Sequence, residues 1–216
     1  IFTECGVNVT SRDLIEVNGK PLPNKAITKL WMYHKQRGYL VTNYDPEGRS
    51  TIFDQLKNKA ETRFISVGRL DMDSEGLILL TNDGDLARKL ELPATGWLRK
   101  YRVRVHGYVI PKDLEPLKNG IIIDGIKYGR IDAALDRQQG SNAWLTLSFR
   151  EGKNREVRKV MNHLGYSVNR LIRVSFGPFN LKDLPSGELQ EVKNRVLNDQ
   201  LGLSKQKNIK QNKNRK

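Results

Sequence analysis

Residues 99–107 read RKYRVRVHG, and their alternation limits what the chain can become. Tyr101, Val103 and Val105 fall on one side of a two-residue period, and Arg102, Arg104 and His106 fall on the other. A helix would scatter the three apolar side chains around its axis, whereas a strand lines them up over a core. NAWLTLSF repeats the rhythm. RFISVGRLD predicts a strand that ends on a tight turn, GLILLTN the next strand, and VNRLIRVSFGPFNL another. KNGIIIDGIKYGRID sets Asn-Gly and Asp-Gly around a short Ile run, which predicts a hairpin, and VNGKPL predicts a smaller one. In KLWMYHKQRGYLVTNYD apolar residues alternate on both sides of Gly38, so a pair of strands is expected there.

Helical signals are fewer. TIFDQL follows an Asp45-Pro46-Glu47-Gly48 turn and predicts a short helix. NDGDLARKL predicts another, capped by Asp83 or Asp85. The clearest helix is NREVRKVMNHLG, where Val157, Val160, Met161 and Leu164 define one apolar face. Asn154 is its expected N-cap and Gly165 its stop, while Arg155, Arg158 and Asn162 share a different face. KDLPSGELQEVKNRVL predicts a loop and a closing helix. A strand-rich chain with interspersed helices belongs to the α+β class.

Charge narrows the choice of partner. Against 24 Asp and Glu stand 38 Lys and Arg, a net of +14, and six of those positive charges (Lys205, Lys207, Lys210, Lys213, Arg215, Lys216) fall in an acid-free tail. Such an excess favours a polyanionic partner, most simply nucleic acid. No apolar run approaches the roughly 18 residues of a membrane span, and no secretory signal pattern opens the chain. A cytoplasmic setting with no membrane partner is therefore expected. A single cysteine, Cys5, and scattered His34, His106 and His163 offer no disulfide framework and no metal-ligand spacing. The 216 residues suit one large domain, or one domain with a small appendage. Opening on Ile1 rather than Met suggests a trimmed N-terminus.

The densest chemical signal is GRLDMDSEGLILLTNDG, residues 68–84. Asp71, Asp73, Glu75 and Gly76 follow the opening rhythm of a calcium-binding loop, but Asn82 stands where its last glutamate belongs, and the incoming segment is β-like rather than helical. A polar turn between two strands explains the glycines and one or two of the acids. A catalytic carboxylate held on a strand end is the third reading.

Resemblance to a known family gives that third reading its weight. GRLDMDSEGLILLTNDG is similar to the central motif of bacterial pseudouridine synthases of the RsuA/RluB type. KQRGYLVTNYDPEGRSTIFDQL, RKYRVRVHG, NAWLTLSFREGKNREVRKVMNHLGYSVNRLIRV and the Gly-Pro pair of SFGPFNL resemble further family blocks in family order, over about residues 27–182. EGKNREVRKV, with Glu156 where many relatives carry Gln, most resembles the large-subunit ribosomal RNA synthase B branch. Gln36 departs from the family's usual proline at that position.

The resemblance implies a mixed, mainly antiparallel sheet with flanking helices and a central cleft, the pseudouridine synthase fold. It implies an isomerase that converts a uridine of ribosomal RNA, 23S rather than 16S, into pseudouridine after flipping the base. Asp71 is its expected catalytic aspartate, Tyr101 its stacking tyrosine and Arg158 the basic partner of Asp71. Arg69, Lys153, Arg155, Arg170 and Arg173 are expected to contact RNA, and Leu171 to line the base pocket. Glu75 is expected to be supporting or structural. Residues 1–22 would be the remnant of an N-terminal S4-type RNA-binding domain, 23–198 the catalytic domain and 199–216 a basic, disordered tail. No metal or cofactor, no protein partner and a monomeric state are expected. The alternative is a ribosome-associated RNA-binding or assembly protein without catalysis, which would need the same basic surface.

Overall fold

The computed structural model describes residues 9–10, 13–21, 26–92 and 95–200. Strands β1 (Glu16–Val17) and β2 (Lys20–Pro21) form a hairpin closed by Asn18 and Gly19, both at positive φ, as a two-residue turn of this kind requires. It is a sheet of its own, within the segment expected to be a domain remnant. Residues 1–8, 11–12 and 22 of that segment, and tail residues 201–216, lie outside the described residues.

The main sheet begins with β3 (Leu30–Lys35). The expected partner strand after Gly38 does not form. Leu40 makes only an isolated parallel bridge to Thr51, and β3 pairs instead with strands far along the chain. Helix α1 (Ile52–Leu56) follows, its Thr51 cap and Asp54 exchanging hydrogen bonds as a capping box. Strands β4 (Ile65–Val67) and β5 (Glu75–Thr81) flank the acidic turn, and α2 (Gly84–Glu91) starts on Asp83, whose carboxylate accepts from the Asp85 and Leu86 amides. Strand β6 (Arg99–His106) alternates buried and exposed residues along its whole length, as its sequence predicts.

A 3-10 segment (Pro111–Asn119), the expected hairpin of β7 (Ile121–Ile123) and β8 (Ile126–Tyr128), and strands β9 (Asp132–Gln139) and β10 (Asn142–Phe149) come next. Helix α3 (Glu156–His163) buries Val157, Val160 and Met161. Its cap position is Arg155, in the left-handed region at φ 50°, and not Asn154. The entry is tied instead by Glu156, whose carboxylate accepts from the Lys153 amide at 2.9 Å. Strands β11 (Ser167–Phe176), β12 (Phe179–Asn180) and β13 (Leu189–Glu191) and helix α4 (Asn194–Gln200) complete the described chain. The boundary expected at residue 199 therefore falls inside a helix.

The large sheet runs β13-β3-β5-β11-β6-β10-β9, with β4 beside β5 and β12 beside β11. Its pairings are antiparallel except at β5–β11, a parallel seam of two register pairs, Ile172 with Glu75 and Arg173 with Gly76. Gly76 has φ 104°, and a Cβ there would come within 2.3 Å of the Arg173 carbonyl oxygen, so the two backbones touch where only glycine fits. The unbroken apolar run of β5 is explained by burial on both faces. Ile78 and Leu80 join the core that contains Tyr101, Val103 and Leu171, while Leu77 and Leu79 join the core under α2 and α4. The acidic turn thus sits at the mouth of the seam between the two halves of the sheet.

Candidate active site

Strand β4 ends at Gly68, whose φ of 68° turns the chain out of the sheet. Leu70 is buried beneath the turn, and the Ser74 amide donates to the Asp71 carbonyl at 3.0 Å before β5 begins. What fixes this loop is Lys35, at the end of β3. Its side chain is fully buried, and its ammonium donates to the carbonyls of Gln36 (2.9 Å), Met72 (3.4 Å) and Ser74 (2.7 Å). Burial brings its pKa down to about 8, against the opposing pull of Asp73, Asp71 and Glu75. One buried cation thus underlies all three acids of the loop.

Each acid also has an arginine above it. Arg155 reaches Asp71 Oδ2 at 3.3 Å and Asp73 Oδ2 at 3.4 Å. Arg158 reaches the Asp73 carboxylate and the Asp73 carbonyl, both at 3.1 Å, and donates to the Val168 carbonyl. Arg170 grips Glu75 through two parallel bonds of 2.9 and 2.8 Å and holds that carboxyl below its usual range. The expected pairing of Arg158 with Asp71 is therefore corrected. The guanidinium that touches Asp71 is that of Arg155, while Arg158 secures the neighbouring Asp73. Residue 155 precedes the helix proper, and its left-handed backbone swings its side chain to the loop.

A pocket of about 630 Å³ opens beside Asp71. Tyr101 forms its wall, stacked on Phe149 with ring centroids 5.2 Å apart and planes 5° from parallel, and Leu171 and Val157 continue the apolar lining. Arg69, Arg155 and Lys153 line its exposed side. Lys153 also donates to the Lys127 carbonyl at 2.7 Å and pairs with Glu151. Arg173, expected to contact RNA, is 3% exposed and lines the pocket from inside, its Nε donating to the Leu77 carbonyl at 2.7 Å. Arg170 is committed to Glu75 and, like Arg158, does not line the pocket. Glu156 also lines it, buried, with Oε1 unpartnered, and burial raises its pKa to about 7. Among the described residues no cluster of three or more His, Cys, Asp or Glu could hold a metal ion. Among the described residues no helix is long and apolar enough to cross a membrane.

A recessed aromatic pocket with the Asp71 carboxylate at its open side suits a planar base presented on a polyanionic strand. The sequence profile of the family described as RNA pseudouridylate synthase matches residues 29–163, the segment that carries β3, the acidic loop, Tyr101 and α3. The chain belongs to the RNA pseudouridylate synthase family. An uncharacterized RNA pseudouridine synthase of Rickettsia prowazekii is 42% identical over 197 residues, covering 90% of this chain and 81% of the relative. Ribosomal large subunit pseudouridine synthase B of Pseudomonas aeruginosa is 39% identical over 208 residues, covering 92% of this chain and 54% of that protein. A crystal structure of a pseudouridylate synthase superposes with a TM-score of 0.71 at 24% identity, over 90% of this chain and 83% of the other, which establishes the common fold. The chain is thus an RNA pseudouridine synthase, an isomerase of uridine in RNA, and RNA is its substrate class.

Two residues of the site escaped the sequence reading, Lys35 beneath the acidic loop and Arg99 in the pocket wall. Lys35 looks there like an ordinary strand lysine, and nothing local marks it as buried. Arg99 carried a signal that went unused: it shares the inward parity of Tyr101, Val103 and Val105 on β6, and it is buried.

Proposed function

We propose that the chain isomerises a uridine of ribosomal RNA, 23S rather than 16S, with the target base flipped into the pocket beside Tyr101 and Asp71 as the essential carboxylate. The observation that carries this reading is the position of Asp71. It lies on a loop anchored from below by Lys35, half-exposed, at the open side of an aromatic-walled pocket. Isomerisation breaks the N1–C1′ bond, turns the base and joins C5 to C1′, with a proton lost from C5 and one gained at N1. A base inside a helix or stack cannot do this without leaving it. The carboxylate has three routes: attack on C1′, addition to the base, or removal of a sugar proton. Each needs a rigid, accessible oxygen beside the sugar.

Tyr101 supplies a stacking face, with Leu171 across the lining. Arg155 orients Asp71, Arg158 supports it through Asp73, and Arg69 and Lys153 meet the RNA backbone at the exposed side. The 23S assignment is supported by similarity to relatives named ribosomal large subunit pseudouridine synthase B. The protein works as a monomer, with residues 199–216 adding electrostatic attraction.

Carbodiimide-adduct mapping of 23S and 16S transcripts tests the reading. Wild type should leave pseudouridine at a defined 23S position and Asp71→Asn should leave none. Equal product from both proteins removes Asp71 from the mechanism, and product on 16S RNA alone reverses the target.

A further inference from the structure

Two buried guanidiniums line this pocket without a carboxylate partner. Arg99 is 8% exposed and Arg173 is 3% exposed, and among the described residues neither has an acidic oxygen within ion-pairing distance. Arg99 donates through Nη1 to the Trp97 and Arg150 carbonyls, and Arg173 through Nε to Leu77. Nη2 of Arg173 is buried and unpartnered. A register shift between Arg173 and Ser175 brings Phe176 opposite Arg99, and both guanidiniums lie on the Phe176 ring, their Cζ atoms 4.8 and 5.1 Å from its centroid. Burial lowers the pKa of Arg99, while Tyr101, Glu156 and Glu91 pull it the other way and Arg173 opposes its charge. Glu156, with its pKa raised to about 7 by burial, offers only part of a negative charge at neutrality.

Buried cations without counter-ions are costly, and such groups collect where a function uses them. Arg173 is the cross-strand partner of Tyr101, and Arg99 lies two residues along the same strand, so both are deeper in the pocket than Asp71. A flipped nucleotide keeps its phosphates with the RNA strand at the exposed side, and the base is the part that reaches furthest in.

We propose that Arg99 and Arg173 form the binding site for the detached uracil anion, stabilising charge on its O2 or O4 as the N1–C1′ bond breaks. This rests on the proposed pseudouridine chemistry of the pocket. The bond's electron pair leaves with N1 and spreads over the two carbonyl oxygens. After the base turns, the same pair forms the C5–C1′ bond, C5 releases a proton and N1 takes one. The site therefore fits the two routes that release a free base, attack on C1′ and removal of a sugar proton, and not addition to the ring. Because the charge on uracil appears only as the bond breaks, the two arginines bind the transition state more strongly than the substrate.

The test separates charge from shape without turnover. 5-Nitrouracil is an anion at neutral pH, whereas uracil and thymine are neutral and of similar shape. Titration of the wild-type protein, followed by the nitro chromophore or by calorimetry, should show 5-nitrouracil binding at least about tenfold more tightly than thymine. In Arg173→Met and, separately, Arg99→Met that preference should fall to near one, while thermal melting shows each variant folded. With RNA, either variant should lose kcat with little change in KM. Equal affinity of the wild type for the two bases, or no binding of either, overturns the proposal, even if both variants fail to fold. So does a variant that only raises KM, which is the outcome for a phosphate contact. Loss of the anion preference leaves the Asp71→Asn mapping untouched. Absence of pseudouridine with wild type removes the functional reading and leaves the measured anion preference standing.

Discussion

At the Asp71 end of the pocket each aspartate has a guanidinium within 3.4 Å, whereas at the Arg99–Arg173 end the guanidiniums have only carbonyls and an aromatic ring. The first end is half-exposed, so water screens its charges and its ion pairs contribute little to stability. Their effect is geometric: they hold Asp71 in place. The second end is buried, where an unbalanced positive charge is destabilising until an anionic ligand balances it. One cavity thus combines an end whose charges contribute little to stability with an end whose charges oppose folding until a ligand is bound.

The largest expected difference between the ends is in catalysis. Asp71→Asn should lower kcat by about a thousandfold or more while shifting the unfolding free energy by less than about 1 kcal/mol, as judged by denaturant titration. A comparable loss of stability would mean that the open end is also structural, and the contrast would fail.

Glu156→Gln sharpens the contrast from the buried side. Below its ordinary value of 4.5 the carboxyl is protonated in both the folded and unfolded chain, so it contributes no pH dependence there. Between 4.5 and about 7 the unfolded chain gives up the proton and the folded chain keeps it, so stability falls as pH rises. Gln removes that penalty. Its advantage over wild type should grow through this window to roughly 3 kcal/mol above about pH 7, measured by urea unfolding at several pH values. A difference independent of pH would show that ionisation of Glu156 is not its cause.

Lys35→Met asks whether the two ends are independent. Three carbonyls under the acidic loop lose their donor, with an expected cost of about 2 kcal/mol and a drop in kcat of about tenfold as Asp71 loosens. In wild type, between about 8 and 10.5 the unfolded chain still holds the lysine proton and the folded chain has released it, so this group makes stability rise with pH. The variant should lack that rise. The smallest effect concerns the tail. Removing residues 201–216, with six positive charges, should flatten the slope of log K against log salt for RNA binding, and an unchanged slope would mean that the tail makes no phosphate contact.

How much of this was legible beforehand follows the physics of each signal. Alternation located β6 and β10, because one buried face imposes a period of two. It failed after Gly38, where apolar residues are present but β3 is claimed by β5 and β13. It missed β9, DAALDRQQ, which carries almost no apolar pattern and is held by its pairing with β10. In the site, the family motifs led to Asp71, Tyr101 and Leu171, which share the pocket. They did not reveal which arginine meets which aspartate, because Arg155 and Arg158 differ through the left-handed backbone at 155, which the helical pattern does not foretell. The burial of Lys35 and Arg173 is likewise a property of the assembled sheet.

The short parallel seam between β5 and β11 has a consequence for how the enzyme comes into being. It joins residues about a hundred positions apart, as the Arg173–Leu77 hydrogen bond across 96 residues shows. Hairpins such as β7–β8 and β9–β10 can close on their own, but the acidic loop and the strand carrying Leu171 and Arg173 meet only when this long loop shuts. During refolding, and during synthesis on the ribosome, most of the sheet can exist before any pocket does. Affinity for the base is therefore a clock that reads the final step of folding, and a chain halted before β11 emerges carries its aspartate with nothing to act upon.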